Sequence, residues 1–311
     1  MIVLEAQKTV ARRVALDGIG LHTGSAVRVC LVPASSDHGI IFRRVDVTDR
    51  DSLIPAHFDH VRDATLCTTL VNGAGVSVRT VEHLMAALSG LHIDNVVVEI
   101  DGPELPILDG SSAPFVEMIE RVGTLDQRPP RRAIKILKRV EVRFEDKFAA
   151  LEPGEGFGID FEIDFPSKAI ERRVGSYEVT REGFGALLSG ARTFGFRHEV
   201  EYLRSKGLAL GGSLDNAVVV DGDALMNPEG LRFDDEFVRH KALDALGDLY
   251  LAGAPIIGRF HGYKSGHALN NRLLHALFAD RTAWTYVAAV EEIEGGAAAA
   301  WPDSVVASPA V

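Results

Sequence analysis

Phe237-Val238-Arg239-His240-Lys241-Ala242-Leu243-Asp244-Ala245-Leu246-Gly247-Asp248-Leu249 has the apolar spacing of a helix facing a core, with a polar column running down it. Residues four apart on a helix share a face, so His240, Asp244 and Asp248 stack one turn above another. An imidazole and a carboxylate one turn apart grip a divalent ion from the same side. Polar groups in a core-facing column cost free energy unless something satisfies them, and a metal does so. Gly247 costs about 1 kcal/mol against Ala in mid-helix. Close approach of another backbone or ligand explains it; a tolerated imperfection is the plainer alternative.

A second segment can be laid over this one. Val81-Glu82-His83 meets Val238-Arg239-His240, Gly90 meets Gly247, and a β-branched strand follows both. The overlay suggests a duplicated unit, each copy a sheet layered with helices. Two such domains facing each other bring His83 and His240 to one interface, where ligand pockets tend to form. The expected fold class is therefore α+β: two similar layered α/β sandwich domains.

The rest of the chain is divided accordingly. Residues 1–126 form the first domain and 133–294 the second. The linker is 127–132, where Pro129 and Pro130 among charges stop helix and sheet. The first domain reads as strands over 27–32, 39–45 and 95–100, a hairpin around Asn72-Gly73, and helices over 81–89 and from Ala113. Thr80 is the expected N-cap of the 81–89 helix and Gly90 its stop. The second reads as strands over 134–137, 140–144, 158–165 and 255–260, with helices over 234–251 and 269–279. Residues 295–311, rich in Ala, Gly, Pro and Ser, are expected to be disordered.

Composition narrows the function. The 311 residues are 46% hydrophobic and 25% charged, with a net charge of −11, so a basic face for nucleic acid is not expected. Neither a signal peptide nor a membrane-spanning run is read. The two cysteines, Cys30 and Cys67, form no disulfide framework and read as buried small hydrophobes, which fits a reducing cytoplasm.

A hydrolytic zinc site needs three protein ligands and one open position. His240 and Asp244 supply two, and His83 on the matching helix is the third. Glu82 beside it is the natural general base. Two His four apart with Glu between them would mark a zinc peptidase, but four residues after His83 stands Ala87. Asp248, one turn beyond Asp244, is placed to orient another histidine. The candidate is His267, where a Gly-containing loop enters a helix. Lys241 points about 100° away from His240 and by itself reads as a solvated lysine. Thr193 and Phe194 could donate to an oxyanion and stack on a ring, although an ordinary strand end is the plainer reading. His57-Phe58-Asp59-His60 is a rival metal cluster without a base or periodic scaffold, and reads as a loop or strand edge.

Seven segments stand in one order along the chain: Asp17–Gly24, Thr80–Leu88, Glu104–Ser111, Ala191–Gly195, Gly211–Ala217, Asn227–Phe233 with the His240 helix, and Gly266–Asn270. Together they resemble the zinc-dependent UDP-3-O-acyl-N-acetylglucosamine deacetylase family of lipid A biosynthesis. The resemblance reaches to about Glu294. It implies paired sandwich domains, each with an insert, and an active site between them. It implies one Zn2+ per chain on His83, His240 and Asp244, with Fe2+ as an alternative on the same ligands. It makes Glu82 the general base, His267 the general acid or electrostatic partner, and Asp248 its support. Thr193 becomes an oxyanion contact, Phe194 and Lys241 substrate contacts, and the insert over about 195–215 an apolar passage for the acyl chain. The implied partner is a small acylated UDP-amino sugar, and the implied protein a cytoplasmic monomer of a Gram-negative bacterium. A non-catalytic metal-stabilised binding module and a hydrolase of another acetylated sugar are the competing readings.

Overall fold

A computed structural model of the chain describes residues 2–288 and 290–292; the tail expected over 295–311 lies outside the described residues. The architecture is α+β and layered, with two sheets enclosing helices. The first sheet holds, in chain order, Val14–Ile19, Ala26–Pro33, Ile40–Arg44, Leu53–Pro55 and Val96–Ile100. The order across it is first, second, fifth, third, fourth. Only the third and fifth strands run parallel. The second sheet repeats this order and sense with Val140–Phe144, Lys147–Glu152, Phe157–Asp164, Arg172–Glu178 and Ile256–Tyr263. Arg132–Ile136 and Trp284–Ala288 extend it.

Parallel pairing of the third and fifth strands requires a long crossover. In each unit the crossover contains an insert and then a core helix. Helix α1 (Glu82–Gly90) precedes the fifth strand of the first unit and α2 (Ala113–Val122) follows it. In the second unit the insert contains α3 (Arg181–Leu187) and α4 (Arg197–Ser205). Helix α5 (Glu236–Tyr250) then precedes the fifth strand and α6 (His267–Ala279) follows. Helix α2 packs on Val14–Ile19, α1 lies between α2 and α5, and α5 and α6 pack on strands of the second sheet.

The sequence explains these placements. Alternation in Phe157–Asp164 sends Ile159, Phe161 and Ile163 into the core. Asp160 and Glu162 point the other way and pair with Arg259 and Arg172. Every residue of α1 except Ser89 is buried, as is every residue of α5 except Arg239 and Lys241. These two helices meet backbone to backbone. A Cβ on Gly247 would stand 2.0 Å from the Glu82 carbonyl oxygen and 3.1 Å from the Ala86 nitrogen. Close approach, rather than tolerance, accounts for this glycine.

Some local expectations are corrected. The prolines within 127–132 do not stop the sheet. Thr124–Pro130 is a strand paired with Ala6–Val10, and Arg131 is buried against Asp94 and Glu5. The prolines are accommodated because the strand pairs on one side only and its register shifts between Asp126 and Pro130. Thr80 is not an N-cap: it has φ +57°, and its hydroxyl donates to Glu104. Helix α1 ends at Gly90 as expected, with the glycine as its last residue, and a Cβ there would lie 2.0 Å from the Phe184 ring. Phe58–His60 is a short 3-10 helix rather than a strand edge. Helix α6 begins at His267, two residues earlier than expected.

Gly247→Ala forces α1 and α5 apart. A loss of about 1–3 kcal/mol is expected, as for other overpacked cores, and denaturant unfolding measures it. Wild-type stability in this variant would show that the contact is not tight.

Candidate metal centre

Helices α1 and α5 carry the polar groups that converge at their contact. His83 Nε2 lies 3.6 Å and His240 Nε2 3.3 Å from the same oxygen, Asp244 Oδ1. One ligand atom from each residue falls within 4.8 Å of the others, and all three residues are buried. Ligand bonds of about 2.0–2.1 Å in a tetrahedron place neighbouring donor atoms about 3.3–3.4 Å apart. The spacing therefore matches a shared ion.

Protonation also fits. The Ala191 carbonyl lies 3.0 Å from His240 Nδ1 and accepts its N–H, leaving the Nε2 lone pair directed at the site. Burial pushes the His240 imidazolium down to about 4, so the ring is neutral. Burial acts to raise Asp244, but His240 and Lys241 outweigh it and hold the carboxyl well below the usual range. Asp244 Oδ2 accepts from Lys241 Nζ at 2.7 Å, so its two oxygens serve different partners. Lys241 is thus not a solvated lysine. Its ammonium is half-buried yet kept charged, because Asp244 overcomes the desolvation that opposes it. Ser112 Oγ donates to the His83 carbonyl at 2.7 Å and fixes the start of α1.

Beside the triad lies a second polar group. Burial raises the Glu82 carboxyl, although His267 and His83 oppose the shift. Its Oε1 lies 3.8 Å from His267 Nε2. On the other side of that ring, Nδ1 meets Asp248 Oδ2 at 2.8 Å. Burial works against a charge on His267, but Asp248 and Glu82 prevail and raise it to about 9. The structure thus brings together His83, His240, Asp244, Glu82, His267, Asp248 and Lys241. Thr193 and Phe194 stand at the edge. The Thr193 amide donates to the Gly110 carbonyl at 2.8 Å, and its hydroxyl has no hydrogen-bond partner among the described residues. The Phe194 ring packs edge-on to Phe237 and His240, with centroids 4.9 and 6.2 Å apart. His57 and His60 are not part of this group.

Several participants were not read from the sequence. Glu236 extends the polar column one turn before His240. It accepts from the Arg192 amide and guanidinium and from the Arg232 amide. Asn270, one turn after His267, donates to Asp248 at 2.9 Å. Both obey helical spacing and were legible. Thr68, which touches Glu82 and Asp248, has no such signal. Burial pushes the neighbouring Cys67 thiol up to about 11, so it stays protonated. A cleft of about 250 Å³ opens at Lys241, where Lys147 and Lys264, Asp146 and Asp164, and the apolar Ile163 and Phe165 line it together with Ser265.

The family model described as UDP-3-O-acyl N-acetylglycosamine deacetylase matches residues 7–279. The chain is 49% identical over 304 residues to the UDP-3-O-acyl-N-acetylglucosamine deacetylase of Vibrio parahaemolyticus serotype O3:K6, covering 97% of this chain and 99% of that one. It is 48% identical over 290 residues to the protein of that name from Shewanella frigidimarina, covering 93% and 94%. Identity is 52% over 278 residues to the Phenylobacterium zucineum protein of the same name, covering 89% and 95%.

Removing one donor should empty the site. For Asp244→Ala, affinity for a divalent transition metal is expected to fall on the order of 100-fold or more, beyond the effect of losing an outer support. Metal analysis after equilibrium dialysis measures it, and full retention would dismiss the triad.

Proposed function

The chain belongs to the UDP-3-O-acyl N-acetylglycosamine deacetylase family, and we propose from this and the geometry that His83, His240 and Asp244 hold the metal with which it removes an N-acetyl group. Its activity is hydrolytic removal of the N-acetyl group from a UDP-3-O-acyl-N-acetylglucosamine in lipid A biosynthesis, releasing acetate and leaving a free sugar amine. The observation that carries the proposed site is the convergence of this triad with Glu82 and His267 between α1 and α5.

Two imidazoles and one carboxylate suit zinc, and iron(II) fits the same donors. Bound there, zinc supplies Lewis-acid polarisation of the acetamide carbonyl and lowers the pKa of water toward about 7. Glu82 is positioned beside His83 to take the proton from the attacking water. Its burial raises its proton affinity, which suits a base that must hold that proton through the step. His267, charged and backed by Asp248, faces Glu82 and stabilises negative charge developing on the substrate. The free Thr193 hydroxyl is a further donor to that oxyanion.

Lys241 and Phe194 contact substrate in this reading. The cleft at Lys241 would take part of the substrate: Ile163 and Phe165 offer an apolar wall and Lys147 a positive charge, while Lys264 is paired with Asp146 and Asp164 and Lys241 with Asp244. The insert over 195–215 would guide the acyl chain. Within it, Leu210 and Tyr202 leave apolar surface exposed. Among the described residues no helix is long and apolar enough to cross a membrane.

Acetate release from the UDP-sugar is the direct assay. Glu82→Ala should lower kcat by about 100-fold or more, the usual share of a general base, and normal turnover would remove Glu82 from the mechanism. The pH profile should be bell-shaped. As pH falls, protonation of Glu82, whose pKa is raised, removes the base. As pH rises through about 9, His267 loses its charge. The pair titrates jointly, so His267→Gln should abolish the alkaline limb, and its persistence would reassign that limb.

A further inference from the structure

Thr68 is buried, and it makes polar contacts to both carboxylates that flank His267. Its amide donates to Glu82 Oε2 at 3.0 Å. Its hydroxyl donates to Asp248 Oδ1 at 2.6 Å. Glu82 belongs to α1 of the first unit and Asp248 to α5 of the second. One residue therefore ties together the two carboxylates against which the His267 ring is set.

Asp248 shows why this tie matters. Its other two side-chain bonds come from His267 Nδ1 at 2.8 Å and Asn270 Nδ2 at 2.9 Å, both to Oδ2 and both from α6. Ser265 donates to the Asn270 amide oxygen and orients that group. The second unit thus fixes one carboxylate oxygen. The other is held from the first unit, and among the described residues Thr68 alone does so. The Thr68 carbonyl also accepts from the Val81 amide at 3.4 Å, next to Glu82.

We infer that Thr68 is a positioning residue: its amide and hydroxyl, acting across the two units, set the spacing between Glu82 and His267. The inference rests on the catalytic reading of those two side chains. Thr68 itself touches neither a metal ligand nor the substrate in that reading. It acts through Asp248 and Glu82. Loss of the hydroxyl would leave Asp248 Oδ1 buried without a donor and free the Asp248–His267 pair to shift relative to Glu82. Displacement of that kind lowers the rate of a positioned proton transfer more than it weakens substrate binding.

The test is Thr68→Val in the metal-loaded full chain. Valine keeps the shape and the amide and removes only the hydroxyl. We expect kcat to fall about ten-fold or more with KM changed less than about two-fold, and metal content to be unaltered. We also expect the proton resonance of His267 Nδ1–H, seen downfield by NMR, to broaden or shift. Thr68→Ser should restore most of kcat and the resonance. Wild-type kcat in the valine variant overturns the inference, as does a serine variant impaired as much as valine, because packing would then be the cause. Should Thr68→Val unfold, serine against alanine at the same position makes the same comparison. Absence of turnover in the wild type itself would fail the catalytic reading instead, and the NMR comparison would still decide whether Thr68 positions the pair.

Discussion

One carboxylate oxygen, Asp244 Oδ1, stands 3.6 Å from an imidazole of the first unit and 3.3 Å from one of the second. Much of the fold serves that meeting. Side chains as short as Asp and His reach a common point from two helices only if the helix backbones nearly touch. Gly247 permits this by leaving room for the Glu82 carbonyl. Its cost in helix propensity, about 1 kcal/mol, is small beside the packing of two helices buried almost all round. The glycine is therefore a requirement of the site as much as of the core.

Bringing two units together also buries charge away from the site. Arg131, in the chain between the sheets, meets Asp94 at 2.7 Å, Glu5 at 3.3 Å and the Tyr250 hydroxyl at 3.3 Å. Tyr250 ends α5, and its hydroxyl donates to the Ile93 carbonyl just beyond α1. Burial acts to raise the Glu5 carboxyl, but His92 and Arg131 lower it to about 2. Buried ion pairs of this kind add little net stability, yet an unpaired member is costly. Their effect is on specificity: the helix ends must meet in one register or strand a charge. That register is the one that brings His83 to Asp244.

The sequence was most informative where periodicity and chemistry coincide. The His240–Asp244–Asp248 column was legible because helical spacing turns a string into a face. Its members have different partners in the structure: Asp244 lies by His83 and His240, and Asp248 by His267. The α+β layering was legible from strand alternation and from the two similar helix–strand segments. Local ends were less so. Pro129 and Pro130 read as a break, but a strand paired on one side tolerates them. Thr80 read as a cap, but Glu104, distant in sequence, takes its hydroxyl. Thr68 was invisible, because a threonine beside another threonine in a strand-like run has no pattern until the opposing helix is in place.

The two units contribute unequally. The first supplies His83, Glu82 and the amide and hydroxyl of Thr68; the second supplies His240, Asp244, Lys241, Asp248 and His267. Neither unit holds all three of His83, His240 and Asp244, and neither contains both Glu82 and His267. Apart, each unit would leave its share of these groups in water; contact between the units buries them, which charges tolerate only when each meets its partner. The groups are therefore satisfied together or not at all. The same argument explains why both proton affinities are raised. Burial raises Glu82, while the carboxylates that surround His267 overcome its burial and raise it to about 9. A base that holds a proton well and a cation that keeps its charge coexist 3.8 Å apart, because each lies in the environment that the other unit completes.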